Sequence, residues 1–494
     1  MKVELPNEKK MIAIIIVVLL MIATLYIAIV SIELGDVISG GPGEEEFLII
    51  PGKNYAVTAT PEPNNEPGMA VDPNDPMHIV AASNDYGTPN GDAWVGYYVS
   101  WDGGKTWTRD LIPGYLGGPI SPLTGMDLSG DPVVCFDAQG NVFISGLFAK
   151  RARNPVNPLG FGFNAGRADG IFVAKSTDGG ATFDQISILA TAMQTMISFH
   201  DKEWMAVDMN NGNVYVVWVV FTILSVANVL FSRSTDNGNS FSTPQVISEY
   251  SAFEIANQGS TIQVTPDGRV HVWWIDFNQA QVRYTFSDDQ GGTFSQPRSI
   301  ADVVEIPRYV DGNDYRTPTL LMSAADPNDE NGSLYVTWND YRTGDSDALL
   351  IFSHDNGATW SDQLRMNDDE EGNGLDQYFP AVAVSPDGFV HVFFYDKRND
   401  ENNTIMEVYY TMSMDGGMNW TFNINASDAS FDGNNAPHAF IGDYNAAAAS
   451  EHTAYYAWCD TREGTPETGD SEIYFVAVKF GWPDSIDEDE DNTE

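Results

Sequence analysis

Oxygen-bearing side chains recur where successive apolar strands of this chain begin. Six such positions carry an aspartate or an asparagine: Asp131, Asp201, Asn257, Asp314, Asp376 and Asp443. If these strands surround a common axis, the side chains ring a channel. Carboxylate and amide oxygens are hard ligands suited to Ca²⁺, and Asp131, Asp314, Asp376 and Asp443 are the metal candidates. Ca²⁺ is the one cofactor that this pattern suggests, and none is required. The alternative is that each side chain accepts backbone hydrogen bonds at the entrance of its strand.

Arginine provides a second kind of chemistry. Three strands end in an Asp-x-Arg motif: Asp340/Arg342, Asp396/Arg398 and Asp460/Arg462. Arginines that converge on one funnel can clamp a substrate carboxylate through two parallel hydrogen bonds. The alternative is an ion-pair network that joins neighbouring structural units.

Basic residues also concentrate in the segment 149–169 (AKRARNPVNPLGFGFNAGRAD). They are Lys150, Arg151, Arg153 and Arg167. In an acidic chain such a loop predicts binding of an anionic glycan or polymer. The alternative is a solvated loop that balances its acidic neighbours.

Overall charge excludes one class of partner. The chain has 494 residues with 70 acidic and 24 basic side chains, a net charge of −46. Nucleic acid is therefore excluded as a partner of the whole surface. Two cysteines are too few for a disulfide framework.

The N-terminal region predicts a membrane anchor. Residues 11–32 (MIAIIIVVLLMIATLYIAIVSI) form an uncharged apolar run, long enough to cross a bilayer as a helix. Lysines precede the run and acids follow it, so residues 1–10 are expected in the cytoplasm and the rest outside the cell membrane. A cleaved signal peptide is the alternative. Residues 33–46 read as a linker, and the acidic tail 483–494 is expected to be disordered.

Between these segments the chain repeats. Seven copies of a strand–turn–strand pattern are visible, the clearest being VTPDGRVHVWWIDF at 264–277. Six of the seven are followed by a third strand, an octet such as STDGGATF, and a fourth strand. Seven four-stranded units of about 60 residues predict an all-β, seven-bladed β-propeller over residues 47–482. The segment 46–57 supplies the missing fourth strand of the last blade and closes the ring.

The octets are expected to be structural turns. Glycine allows the tight turn, and the serine and aspartate side chains bind the turn's own backbone. Their aspartates are Asp102, Asp178, Asp236, Asp289, Asp355 and Asp415.

This S-x-D-x-G-x-T/S-W/F pattern is the Asp-box, and its repetition resembles the sialidase-like propellers with bacterial neuraminidase (BNR) repeats. The resemblance covers nearly all of residues 47–482 and implies the propeller fold, with the six-bladed sialidase ring as the alternative. Asp-boxes of that superfamily lie away from the active site, and they occur in proteins without sialidase activity.

The resemblance also implies a set of catalytic candidates. Sialidase chemistry uses arginines for a carboxylate, a tyrosine nucleophile helped by a glutamate, and an aspartate acid/base. The candidates here are Asp201, Glu203, Arg316, Arg342, Arg398, Arg462, Tyr378 and Tyr444. The family's F-R-I/L-P-like stretch near the first blade is absent from this sequence.

We therefore expect a membrane-anchored, outward-facing propeller that binds surface glycans or a protein partner through its longer loops. An exo-glycosidase of sialidase type, acting on terminal acidic sugars at the same face, is the second hypothesis. A structural component of the cell envelope is the third.

Overall fold

The computed structural model describes residues 47–150, 168–191, 198–222, 227–249 and 257–486. The predicted N-terminus, anchor and linker at 1–46, and residues 487–494 of the predicted tail, lie outside these residues. In the described part of the chain no helix is long and apolar enough to span a membrane.

Short strands make up nearly all of the regular structure. In chain order they are β1 (Leu48–Pro51), β2 (Tyr55–Ala56), β3 (Asn64–Asp72), β4 (Asp75–Asp85), β5 (Trp94–Ser100), β6 (Thr108–Leu111), β7 (Leu128–Phe136), β8 (Val142–Lys150), β9 (Ala168–Ser176), β10 (Gln185–Thr191), β11 (Ser198–Val207), β12 (Val214–Thr222), β13 (Ala227–Ser234), β14 (Gln245–Val246), β15 (Asn257–Val264), β16 (Val270–Asp276), β17 (Gln281–Ser287), β18 (Arg298–Asp302), β19 (Met322–Ala325), β20 (Leu334–Asp340), β21 (Asp347–Ser353), β22 (Leu364–Arg365), β23 (Gln377–Val384), β24 (Val390–Asp396), β25 (Ile405–Ser413), β26 (Ile424–Asn425), β27 (Phe431–Asp432), β28 (Ala446–Ala449), β29 (Thr453–Asp460) and β30 (Glu472–Gly481). Among the described residues, three single-turn 3₁₀ helices occur at Gly433–Asn435, Pro437–Ala439 and Pro483–Ser485.

The strands form seven antiparallel sheets, which confirms the seven-bladed prediction over the six-bladed alternative. Blades 1 to 6 have the strand orders β3-β4-β5-β6, β7-β8-β9-β10, β11-β12-β13-β14, β15-β16-β17-β18, β19-β20-β21-β22 and β23-β24-β25-β26. Blade 7 is built on β28, β29 and β30. The first strand of each blade, called the inner strand below, lines the central channel.

The described residues fall into two compact units. Gly52–Ala477 holds the propeller, and within it the N-terminal strand β2 pairs with β30 through Tyr55↔Phe475 and Ala56↔Tyr474. The second unit is small: β1 pairs with the end of β30, from Leu48↔Gly481 to Pro51↔Val478. The predicted closure by the N-terminal segment is thus confirmed.

Each blade packs on the next through apolar side chains. Trp218 of blade 3, for example, is fully buried in a cluster that contains Leu147 and Val173 of blade 2. Alternating residues in neighbouring strands supply this packing. Burial of apolar area between blades, at about 25 cal/mol per Å², holds the ring together.

The octets lie between the third and fourth strands of blades 1 to 6. In the first, Ser100 Oγ accepts from Gly104 N at 2.8 Å and donates to Asp102 Oδ1 at 2.8 Å. The same carboxylate accepts from Thr106 N at 2.9 Å and from Thr106 Oγ1 at 2.6 Å. Gly103 and Gly104 have φ of 70° and 88°, which glycine adopts without strain. The octet side chains thus form hydrogen bonds within their own turn.

A bulge interrupts five inner strands close to their entrance. The residue with positive φ is Glu66 (54°), Asp131 (56°), Lys202 (50°), Gly259 (63°) or Phe379 (52°). Only one of these is a glycine, and a left-handed residue of another type costs about 1–2 kcal/mol. Such strain concentrates at functional sites, so the bulges lead to the candidate site.

Candidate functional site

The bulges of blades 1, 2 and 3 deliver one ion-pair cluster to the channel. Lys202 Nζ lies 2.7 Å from Glu66 Oε1, 2.9 Å from Asp131 Oδ2 and 2.9 Å from Asp443 Oδ2. Arg316 binds Asp443 through Nε at 2.7 Å and Nη2 at 2.6 Å. These five residues, the channel cluster, come from blades 1, 2, 3, 5 and 7. Contacts between such distant blades are feasible only at the ring's centre.

Close packing fixes the carboxylates of the cluster. Asn84 Nδ2 donates to Glu66 Oε2 at 2.7 Å, and Asn84 Oδ1 accepts from Asp131 N at 2.8 Å. Gly442 has φ of 91°, and a Cβ there would lie 2.8 Å from Glu66 Cγ. A glycine is therefore needed where blade 7 passes Glu66.

The cluster reaches solvent along one edge. The side chain of Lys202 is 8% exposed, whereas that of Arg316 is 36% exposed. The Arg316 guanidinium lies over the ring of Phe440 at 4.7 Å, in the long segment that leads into blade 7. The inner strands begin at this end of the channel, so the open edge belongs to the face that carries the longer loops.

Three further predicted residues flank the cluster. Asp201 and Glu203 are the chain neighbours of Lys202, and the ring of Tyr444 lies 5.2 Å from Lys202 Nζ. The Tyr444 ring also meets Trp204 edge-on at 5.7 Å. Both carboxyl oxygens of Glu203 are buried and have no hydrogen-bond partner among the described residues.

The acidic groups of the site differ in the direction in which their pKa values are shifted. Burial, and next the charge of Asp131, raises the pKa of Glu66 and of Glu203 well above the usual glutamate value. Burial acts on Asp443 in the same direction, but Lys202 and Arg316 outweigh it, and the pKa of Asp443 is lowered. The pKa values of neighbouring carboxyl groups in the site are thus shifted in opposite directions.

The structure places the Asp-x-Arg arginines elsewhere. Each binds the aspartate of its own motif: Arg342 Nε to Asp340 at 2.7 Å, Arg398 Nε to Asp396 at 2.8 Å, and Arg462 Nε to Asp460 at 3.0 Å. Two also reach an acid in the preceding blade's outer segment: Arg398 to Asp368 at 2.6 Å, and Arg462 to Asp428 at 2.5 Å. These contacts lie along the outer strands, in the ion-pair arrangement that was the alternative to a carboxylate clamp.

Other predicted residues also lie apart from the cluster. Tyr378 is fully buried, and its hydroxyl shares a hydrogen bond with Tyr315. Asp376 accepts from Ser346 N at 2.8 Å. Asp314 is exposed, and its backbone N–H donates to an asparagine at 2.7 Å.

The four aspartates proposed for Ca²⁺ are not brought together. Asp131 and Asp443 share the Lys202 ammonium, which supplies a positive charge at the place where the sequence suggested a cation. In the described part of the chain no group of three or more His, Cys, Asp or Glu side chains is arranged to hold a metal ion.

Of the predicted basic loop, only Lys150 falls within the described ranges. It donates to Gly125 O at 2.7 Å. Arg151, Arg153 and Arg167 lie outside them, and their contribution stays a prediction.

Sequence reasoning missed Glu66 and Lys202, two members of the cluster. A signal existed: Glu66-Pro67 and Asp131-Pro132 stand at equivalent places near the start of their inner strands, as does Lys202-Glu203. Aligning the strand entrances, rather than the octets, would have put all three in register.

A comparison with known protein families identifies the repeats. Residues 228–440 match a family model described as a BNR repeat-like domain. This range spans blades 4, 5 and 6 entirely. The BNR repeats predicted from the octets are confirmed there. No curated protein matches the chain.

Among solved structures, the chain is similar to a Dyadobacter fermentans protein of unknown function, at 15% identity and a TM-score of 0.48 over 88% of this chain and 99% of that one. It is similar to a Hadza microbial sialidase at 14% identity and a TM-score of 0.44, over 83% and 74% of the two chains. It is also similar to an ulvan lyase, a polysaccharide lyase, at 13% identity and a TM-score of 0.46, over 85% and 94%.

Proposed function

We propose that the protein binds carbohydrate at the open edge of the channel cluster. The observation that carries the proposal is the cluster's backbone: three charged residues, Glu66, Asp131 and Lys202, hold left-handed conformations to meet at one point. The same bulge holds Gly259 in blade 4 and Phe379 in blade 6, so it is the charge of the bulge residues that sets blades 1 to 3 apart. Neighbouring carboxyl and guanidinium groups beside an aromatic ring suit hydroxyl-rich sugars.

A glycan array probed with the full chain in detergent tests this proposal. We expect binding that Arg316→Ala weakens at least tenfold, because this side chain forms the exposed edge of the site. Arg342→Ala is the matched control, because that arginine binds the outer strands. Equal losses in the two variants, or no glycan bound by the wild type, would refute the proposal.

Hydrolysis is the second candidate, and one observation favours it. Glu203 has a raised pKa and is the chain neighbour of Lys202, whose ammonium binds Asp443, a carboxylate with a lowered pKa. Two carboxyl groups whose pKa values are shifted in opposite directions serve as acid and base in glycoside cleavage. In this scheme Glu203 donates the proton, and an ionised carboxylate of the cluster stabilises the positive charge that develops on the sugar.

Fluorogenic glycosides, a sialoside included, test for hydrolysis. We expect Glu203→Gln and Arg316→Ala to abolish turnover if the site is catalytic, whereas Arg342, Arg398 and Arg462 variants retain it. Turnover that survives Glu203→Gln would remove that residue from the reaction. Glycan binding without turnover of any substrate would leave the binding function alone.

We also propose that residues 11–32 anchor the chain with its propeller outside the cell. The support is the uncharged run with lysines before it and acids after it. Membrane fractionation, followed by protease treatment of intact cells, tests both parts. Digestion of the propeller only after lysis would contradict the orientation.

A further inference from the structure

The charges around the channel cluster are unequal. Seven ionisable side chains meet there in the described part of the chain: Glu66, Asp131, Asp201, Glu203 and Asp443 against Lys202 and Arg316. The acidic groups outnumber the basic ones, so this end of the channel suits a cationic ligand better than an anionic one.

Both basic groups of the cluster are already paired. An ammonium has three N–H donors, and Lys202 has a carboxylate oxygen within 2.9 Å for each of them. Arg316 spends its Nε and Nη2 donors on Asp443. The two N–H groups of Nη1 and the second N–H of Nη2 remain, and the charge behind them is matched by Asp443. A carboxylated or sulfated sugar would find no uncompensated cation here.

Two acidic groups, in contrast, are open to a ligand. The Glu203 side chain is 2% exposed, and neither of its carboxyl oxygens has a hydrogen-bond partner within the described residues. Asp201, two residues before it, is partly accessible. Both charges act on the Lys202 ammonium, so both carboxyl groups lie close to it. A buried acceptor without a donor is costly, and a bound donor relieves that cost.

We infer that the sugar bound at the channel cluster carries a free, protonated amine, which Asp201 and Glu203 receive. This inference rests on the proposed carbohydrate binding and names its ligand class. The amine supplies the donors that the Glu203 oxygens lack, and its charge offsets the local excess of acid. The expected ligand is thus an amino sugar, and the acidic sugars considered from the sequence are disfavoured.

Oligosaccharides that differ only at the nitrogen provide the sharpest test. The full chain in detergent is titrated calorimetrically at pH 6 with glucosamine tetramer, its fully N-acetylated counterpart, and galacturonate tetramer. We expect the free amine to bind at least tenfold more tightly than the acetylated form, and the uronate to bind most weakly. Equal or tighter binding of the acetylated or anionic tetramer would overturn the inference.

Variants separate this inference from the proposed function. Asp201→Asn with Glu203→Gln is expected to abolish the preference for the amine while thermal unfolding stays cooperative, because both changes keep the size of the side chain and the Glu203 oxygens have no partner among the described residues. Glu467→Gln, an exposed acid of a neighbouring loop, is the matched control and should keep the preference. A tenfold preference that survives in the double variant refutes the role of these two residues. If a wider array shows binding of other glycans only, the amine inference fails and the carbohydrate proposal stands; if no glycan binds, both fail.

Discussion

Lys202 holds the centre of the site by charge. Its ammonium neutralises three carboxylates that would otherwise repel one another in a buried place. Burial alone would lower the pKa of Lys202, but Asp131, Asp443 and Glu66 outweigh it and raise that pKa well above the lysine value. The carboxylates around the lysine therefore favour its charged form.

Replacement of Lys202 by methionine should destabilise the propeller strongly. The change leaves buried carboxylates without a countercharge, which costs about 3–5 kcal/mol. Urea unfolding at pH 7 measures the loss. Lys202→Arg, which keeps the charge, should lose less than half as much. A methionine variant within about 1 kcal/mol of the wild type would mean that the carboxylates take up protons at little cost.

The sequence predicts the role of a residue in the site only where it also predicts the position of that residue in the propeller. Asp131 and Asp443 were singled out because each precedes a recognisable inner strand. Glu66 and Lys202 were not, because nothing in one strand shows what faces it across a ring. Asp376 passed the same sequence test as Asp131, yet it accepts a hydrogen bond from the backbone N–H of Ser346. The bulge residue of its strand is Phe379, which carries no charge.

At the scale of elements, the octets are self-contained. Asp289 accepts from Thr293 N at 2.8 Å and from Thr293 Oγ1 at 2.9 Å, and these bonds together with Ser287 lower its pKa to about 2. All partners lie within eight residues of sequence. This is why the octets and their place between the third and fourth strands were predictable without any tertiary information.

Acid should therefore weaken the octets. A carboxyl whose pKa is depressed in the fold stabilises it above the unfolded value near 4, and this stabilisation is lost as the pH falls toward about 2. Asp289→Asn should lower the midpoint of thermal unfolding by a few degrees at pH 7 and should reduce the dependence of that midpoint on pH between 4 and 2. The exposed Asp362→Asn serves as control. An unchanged acid dependence in the Asp289 variant would show that its hydrogen bonds add nothing to stability.

At the scale of the whole propeller, stability depends on the seam of blade 7. Glu472 of β30 is buried there, and its Oε1 accepts from Thr60 N at 3.0 Å. Its Oε2 accepts from the hydroxyl of Thr58. Burial raises the pKa of Glu472 to about 7, and the bonds from Thr58 and Thr60 act in the opposite direction.

The seam should loosen as the pH rises. A carboxyl with a raised pKa stabilises the fold fully below its unfolded value near 4.5, and the effect disappears as the pH rises through about 7. Between pH 5 and 8 this group should lower the free energy of unfolding by about 2 kcal/mol. Glu472→Gln should remove that component, and Glu467→Gln should not. Equal pH dependence of unfolding in the wild type and in Glu472→Gln would show that another group causes the pH dependence.

The pairing of β2 with β30 also sets an order of events during synthesis. Tyr55 leaves the ribosome roughly 420 residues before its partner Phe475. Because synthesis proceeds at about 5–20 residues per second, the backbone N–H and C=O groups of this strand stay unpaired for tens of seconds. Blades 1 to 6 can form during this time, but the ring cannot close until the last blade is made. A chain truncated anywhere before β30 would be left with an exposed edge at each end, a state that quality-control proteases can recognise.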